Sequence, residues 1–204
     1  KEYDFGDGGI LENLGIMPLL KRQVKKIMVF VNCQTPLTGG DEKEEQITDS
    51  IPALFRPLNK KQYGSPNFAD NVVFANQLDK YEILVNDLLN KINHGHAPVH
   101  VNTYHVTKQP HYNITQEYDV EVMWIYNAPV LDWEEKLNIE VKHLLHNSRM
   151  FERFPYYRTF MENPPEIVEL KPQQTNLISH LSAWIVASNA ELINRFLEGK
   201  NVPV

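Results

Sequence analysis

The chain has 204 residues, a formal net charge of −6, and 42% hydrophobic against 23% charged residues. That length supports one sizeable core and that balance is of an ordinary globular protein, while a net negative charge argues against a dedicated nucleic-acid binder, whose phosphate contacts need a concentrated basic surface. No apolar run approaches the roughly 18 residues that span a bilayer, and a single cysteine, Cys33, excludes an internal disulfide framework and suits a reducing compartment.

The first element is a short strand-like segment that runs into Asp7-Gly8-Gly9, with no start methionine ahead of it, which reads as the interior of a longer protein. Asp7 falls where α/β enzymes present a carboxylate at the carboxyl end of a strand, and two glycines let the backbone turn sharply beside it. The plainer alternative is a turn aspartate that bonds nearby backbone amides. Residues 26–32 are a short apolar run ending before Thr35-Pro36, the pattern of a strand buried on both faces. Residues 38–45 are glycine-rich and then acidic, a solvent-exposed loop leading into a helix at 46–54. Residues 59–67, with Gly64 and Pro66, form a second surface loop.

Over 76–92 the apolar residues Leu78, Tyr81, Val85, Leu88 and Ile92 recur every three or four positions, predicting an amphipathic helix stopped by Gly95. Val99–Val106 and Tyr118–Tyr126 are β-branched and aromatic strands, separated by a turn at 109–113. They form either a hairpin or two sheet-edge strands. Helices follow at 132–146 and 172–197; Leu177, Leu181, Trp184, Ile185, Leu192 and Phe196 lie along one stripe of the last. The alternation of strands and helices predicts an α/β fold with a mainly parallel sheet flanked by helices.

Three constellations carry candidate chemistry. Asp7 is the first. The second is the histidine group His94, His96, His100, His105 and His111. By parity the first three share one face of an extended segment and His105 takes the other. No cysteine or clustered carboxylate completes a familiar ligand spacing, so these read as surface and turn histidines, as do His143 and His146. The third is the aromatic concentration Phe151, Phe154, Tyr156, Tyr157 and Phe160, with Trp124, Trp133 and Trp184 elsewhere. These residues line an acyl-chain pocket or, the favoured reading, fill a core where sheet and helix meet. Arg149, Arg153 and Arg158 either meet phosphate headgroups or are solvated charges. Asn113-Ile114-Thr115 matches a glycosylation acceptor, a triplet common by chance.

The order Asp7-Gly8-Gly9, Glu12-Asn13, Pro18-Leu19-Leu20-Lys21-Arg22 and then a strand at 27–32 resembles the second catalytic block of patatin-like and cytosolic-phospholipase-like lipid acyl hydrolases. The segment Phe154-Pro155-Tyr156-Tyr157-Arg158-Thr159 and the final helix with Leu177 and Trp184 resemble the end of the cytosolic-phospholipase type. The resemblance implies that residues 1–204 are the C-terminal part of one patatin-like catalytic domain, incomplete without an upstream segment. It implies hydrolysis of carboxylic esters in phospholipids or lysophospholipids by a Ser–Asp dyad. Asp7 is then the base, and Gly8, Gly9 and Asn13 support its loop. Such a carboxylate needs a pKa raised toward the working pH, and the tetrahedral intermediate needs backbone N–H donors.

The chain departs from that pattern in having no Gly-x-Ser-x-Gly and no glycine-rich oxyanion loop. Ser50, Ser65, Ser148, Ser179, Ser182 and Ser188 lack the elbow context, so the nucleophile is expected on the upstream half. No metal or organic cofactor is implied. The implied partner is a phospholipid or other acyl-ester lipid, met in the cytoplasm with peripheral contact at a membrane surface. The alternative is a non-catalytic patatin-like module that binds lipid or a protein partner without turnover.

Overall fold

A computed structural model describes residues 12–33, 35–38, 47–48, 50–58, 71–157 and 170–199. The chain divides into two compact units, the first of residues 1–29, 48–85 and 101–124, the second of 30–47, 86–100 and 125–204. Three strands, β1 (Lys26–Val31), β2 (Val99–Val106) and β3 (Tyr118–Tyr126), form a sheet in the order β1-β3-β2.

The fold is mixed α/β, but its described sheet is not mainly parallel. β2 and β3 are an antiparallel hairpin, extended by a bridge between Gln109 and Ile114. The turn is a 3-10 helix, Pro110–Tyr112, closed by Asn113 in the left-handed region at φ 56°. Residues 107–117 are too few for the crossover that a parallel pair requires, which decides the direction. Parallel character is confined to β1 and β3. The Lys25 carbonyl accepts from the Glu121 N–H at 2.9 Å and the Val31 carbonyl from the Asn127 N–H at 3.0 Å, equal steps in the same chain direction.

β1 is also not buried on both faces. Ile27, Val29 and Val31 are buried, while Phe30 between them is 50% exposed. An end strand of a three-stranded sheet is covered less well than the central one, and β3, buried continuously from Val122 to Tyr126, is the strand that fits the doubly covered description.

In the first unit a short helix, α1 (Met17–Lys21), feeds β1, and the Tyr118 hydroxyl donates to the Leu20 carbonyl at its end at 2.8 Å. Burial pushes the Tyr118 phenol up to about 12. Of the helix expected at 46–54, the described part forms a 3-10 turn, Pro52–Leu54. The Leu54 carbonyl accepts from the Val73 and Phe74 N–H groups. An aromatic cluster fills this unit: Phe55 lies 5.2 Å from Phe74 and 5.4 Å from Tyr104, and Phe74 stacks on Tyr104 at 4.9 Å. The buried Trp124 indole donates to the Tyr104 hydroxyl at 3.2 Å.

Helix α2 (Leu78–Asn93) buries Tyr81, Leu84, Val85 and Leu88. Its side chains also reach the outer edge of β2. In the first unit Gln77, just ahead of α2, both donates to the His105 carbonyl and accepts from the His105 N–H, and Lys80 donates to the Thr103 carbonyl. In the second unit Lys91 donates to the Val99 carbonyl.

The second unit holds α3 (Leu131–Glu134), α4 (Ile139–Asn147), α5 (Pro172–Ser188) and α6 (Ala190–Glu198). Each pair was expected as one continuous helix. An asparagine divides each, because its side chain competes with the helical backbone for hydrogen bonds. Asn138 caps α4 by accepting from the Val141 N–H, and Asn189 turns its amide back onto the Ile185 carbonyl. The apolar stripe of the last two helices is buried at Leu181, Ile185, Ile193 and Phe196, while Leu177, Trp184 and Leu192 are half-buried.

Candidate functional site

Asp7, Gly8 and Gly9 lie outside the described residues. Immediately after them, the chain enters a bend at Asn13, which is exposed. The hydrogen bonds that hold this bend come from Glu12, whose carboxylate accepts from the Leu14 N–H and, at 3.4 Å, the Met17 N–H. Desolvation pushes the Glu12 carboxyl above its ordinary value, against the opposing pull of these backbone donors. Gly15 adopts φ +69° with nothing near the position of a Cβ, so glycine serves the backbone conformation there rather than the space. Pro18 sits in the first turn of α1, where a missing N–H costs nothing. The sequence quotes Glu12 only as part of a motif; its position just ahead of a proline-started helix was the signal for a capping role.

In the second unit, the carboxyl end of β1 meets that of β3. This is the side of an α/β sheet where ligands usually sit. Cys33 Sγ lies 3.2 Å from the Tyr126 hydroxyl and 3.3 Å from the Thr35 carbonyl, its single S–H serving one of the two, and the Tyr126 hydroxyl donates to the same carbonyl at 2.9 Å. The Tyr156 phenol is pushed up by burial and by the neighbouring thiol. Asn127 donates to the Pro155 carbonyl at 3.0 Å, fixing the Phe154-Pro155-Tyr156 segment. Among the described residues the cluster offers hydroxyl and thiol groups and no carboxylate or imidazole.

The histidines are dispersed, each on its own partner. In the first unit His105 Nδ1 is 2.8 Å from Asp119, and the His111 ring meets Tyr112 edge-on. In the second unit His94 contacts the Asn90 carbonyl, His96 pairs with Asp132 at 2.7 Å, and His146 pairs with Glu134. His100 is buried, and its Nδ1 lies 2.8 Å from an Asp87 oxygen that Lys91 also contacts at 2.8 Å. The Asp87 carboxyl loses water on burial, yet the hydrogen bonds and charges of His100 and Lys91 hold it below its ordinary value. His100 Nε2 has no hydrogen-bond partner among the described residues. Among these residues no group of three or more His, Cys, Asp or Glu is placed to hold a metal ion.

The aromatic residues of the second unit mostly pack on one another. Trp133 stacks on Phe154 at 5.6 Å, Phe154 meets Tyr157 at 6.2 Å, and Phe151 is buried. Arg149 and Arg153 are exposed; Arg158 and Phe160 lie outside the described residues. Of the serines, Ser148 accepts from the Met150 N–H and Ser188 donates to the Ile185 carbonyl, both local backbone roles. No described helix is long and apolar enough to cross a membrane. Comparison with protein-family models, curated proteins and solved structures finds no match to this chain.

Proposed function

We propose that the chain is the C-terminal part of a patatin-like lipid acyl hydrolase in which Asp7 is the dyad base. The observation that carries this reading is the order of elements after Asp7-Gly8-Gly9. A Glu12-capped bend leads into a proline-started helix, α1, and then into β1, which runs parallel to β3. With Asp7 taken, from the sequence, as a strand-end carboxylate, the helix α1 and the parallel strand β1 that follow match the unit on which α/β enzymes build their sites. The larger, mainly parallel sheet belongs to this proposal and needs strands from an upstream segment.

In the proposed reaction the upstream serine gives its proton to the Asp7 carboxylate as its oxygen adds to the ester carbonyl. Backbone N–H groups of the upstream loop stabilise the oxyanion. Collapse expels the lysolipid or alcohol, which takes the proton from Asp7, and water then releases the fatty acid from the acyl-serine. No metal or organic cofactor takes part. The substrate is a phospholipid or lysophospholipid, met at a cytoplasmic membrane surface by peripheral contact.

The test is Asp7→Asn in the full-length protein, assayed on a chromogenic ester and on phospholipid micelles. A fall of about 10²–10⁴-fold in kcat is expected, the usual contribution of a general base. Full retained activity refutes the dyad. A wild-type parent that binds micelles without turnover on either substrate supports the non-catalytic module instead.

A further inference from the structure

Three consecutive residues of α3 each hold a histidine from a different element of the second unit. Asp132 meets His96, in the turn before β2, at 2.7 Å. The Trp133 indole N–H donates to Nδ1 of His180 on α5 at 2.8 Å. Glu134 meets Nε2 of His146 on α4. The three bonds respond differently to a proton. An indole is a donor only, so His180 presents a bare Nδ1 and carries its proton on Nε2. Protonating Nδ1 sets two N–H donors against each other and breaks the bond. At Asp132 and Glu134 the imidazole faces a carboxylate, and protonation converts a hydrogen bond into an ion pair.

The charges around the clamp do not cancel this asymmetry. α5 contains no Asp, Glu, Lys or Arg, so His180 is its one ionisable side chain. Among the described residues His180 has no carboxylate partner, and its ring neighbour is Trp133 at 6.0 Å. On the α3 side Glu135 and Lys136 follow the clamp residues; on α4 Glu140, Lys142 and His143 accompany His146, with Lys142 bonded to the Glu135 carbonyl. Ahead of β2, His94 stacks on His96 at 6.3 Å, and Lys91 is engaged by Asp87.

Besides the Trp133–His180 bond, α5 is held by the buried Leu181 and Ile185, by the half-buried Leu177, Ile178 and Trp184, and by Gln174, which donates to the Met150 carbonyl at 2.7 Å; His180 itself is exposed. Trp133 is 1% exposed and loses its acceptor if His180 turns away. We propose that α3 is a pH-sensitive three-histidine clamp that releases α5 at His180, while tightening on His96 and His146, as pH falls from about 8 to 5. The device does not depend on the acyl-hydrolase reading.

Amide hydrogen exchange of the full chain, corrected for the intrinsic effect of pH, reads the change. Protection across residues 176–184 should fall about two- to tenfold between pH 8 and 5, the range one net hydrogen bond supports, while protection across α4 holds or rises. His180→Gln retains a side-chain acceptor that does not titrate, and α5 should then respond flatly. A wild-type-like response of α5 in His180→Gln overturns the proposal, as does constant wild-type protection. If His180→Gln does not fold, nitrogen NMR of the wild type decides. Loss of the Trp133 indole signal in step with Nδ1 protonation of His180 supports the clamp; protonation with the indole signal unmoved overturns it.

Discussion

The carboxyl groups of Glu12 and Asp87 both lose water on folding, and their partners decide the outcome. For Glu12 desolvation outweighs the backbone donors, and its carboxyl rises above 4.5. For Asp87 desolvation is outweighed by His100 and Lys91, and its carboxyl falls below 3.8. Linkage gives these shifts opposite consequences. The Glu12 contribution is fully present below its unfolded value and is lost as pH rises through the raised folded value. The Asp87 contribution is present above its unfolded value and is lost as pH falls through the lowered one. Thermal melts should therefore show wild type losing ground to Glu12→Gln as pH rises above 4.5. They should show the advantage of wild type over Asp87→Asn shrinking below about pH 4. Parallel curves in either comparison contradict the assignment. At this scale Asp7-Gly8-Gly9 stands out in the sequence because a motif is contiguous, and it lies outside the described residues. The histidine pairings do not stand out: His96, His105 and His146 find carboxylates 36, 14 and 12 residues away, distances that no local spacing rule reaches.

Among the elements, β2, β3 and α2 follow their sequence patterns closely, since each has a long periodic run with a marked end. Gly95 is such an end. It takes φ +79°, and a Cβ there would lie 2.7 Å from the Cβ of Leu131. Gly95→Ala should cost about 2–4 kcal/mol, combining left-handed strain with overpacking, and should lower the urea midpoint at unchanged slope. In the hairpin, Tyr104→Phe removes the acceptor of the buried Trp124 indole and should cost about 1–3 kcal/mol. A change within error in either variant refutes the stated role. The two long helices are helical over most of their expected ranges but each is divided, because the apolar stripe continues through Asn138 and Asn189 and periodicity does not register a capping side chain. β1 misled differently. Ile27-Met28-Val29-Phe30-Val31 is apolar at every position, so its sequence cannot tell one covered face from two, and the half-exposed Phe30 settles it.

For the molecule as a whole, the proposed placing of the base on this chain and of the serine on an upstream segment sets the expectation. The purified 204-residue chain should bind acyl-ester lipid without hydrolysing it, as read by vesicle co-sedimentation beside a fatty-acid release assay. Turnover by the purified chain contradicts the proposed division of labour. Mixed α/β character was legible from the alternation of elements, whereas strand direction was not, because it depends on how the chain crosses between strands rather than on what the strands contain. One feature of the sheet reaches past a single molecule. Among the described residues β2 is the last strand on its side, yet its Val99, Thr103 and His105 carbonyls already accept from Lys91, Lys80 and Gln77. An incoming strand of another chain would have to displace an amide and two ammonium groups before it could pair. That flank is thereby guarded against edge-to-edge aggregation, and growth of the sheet by a further strand falls to the side of β1.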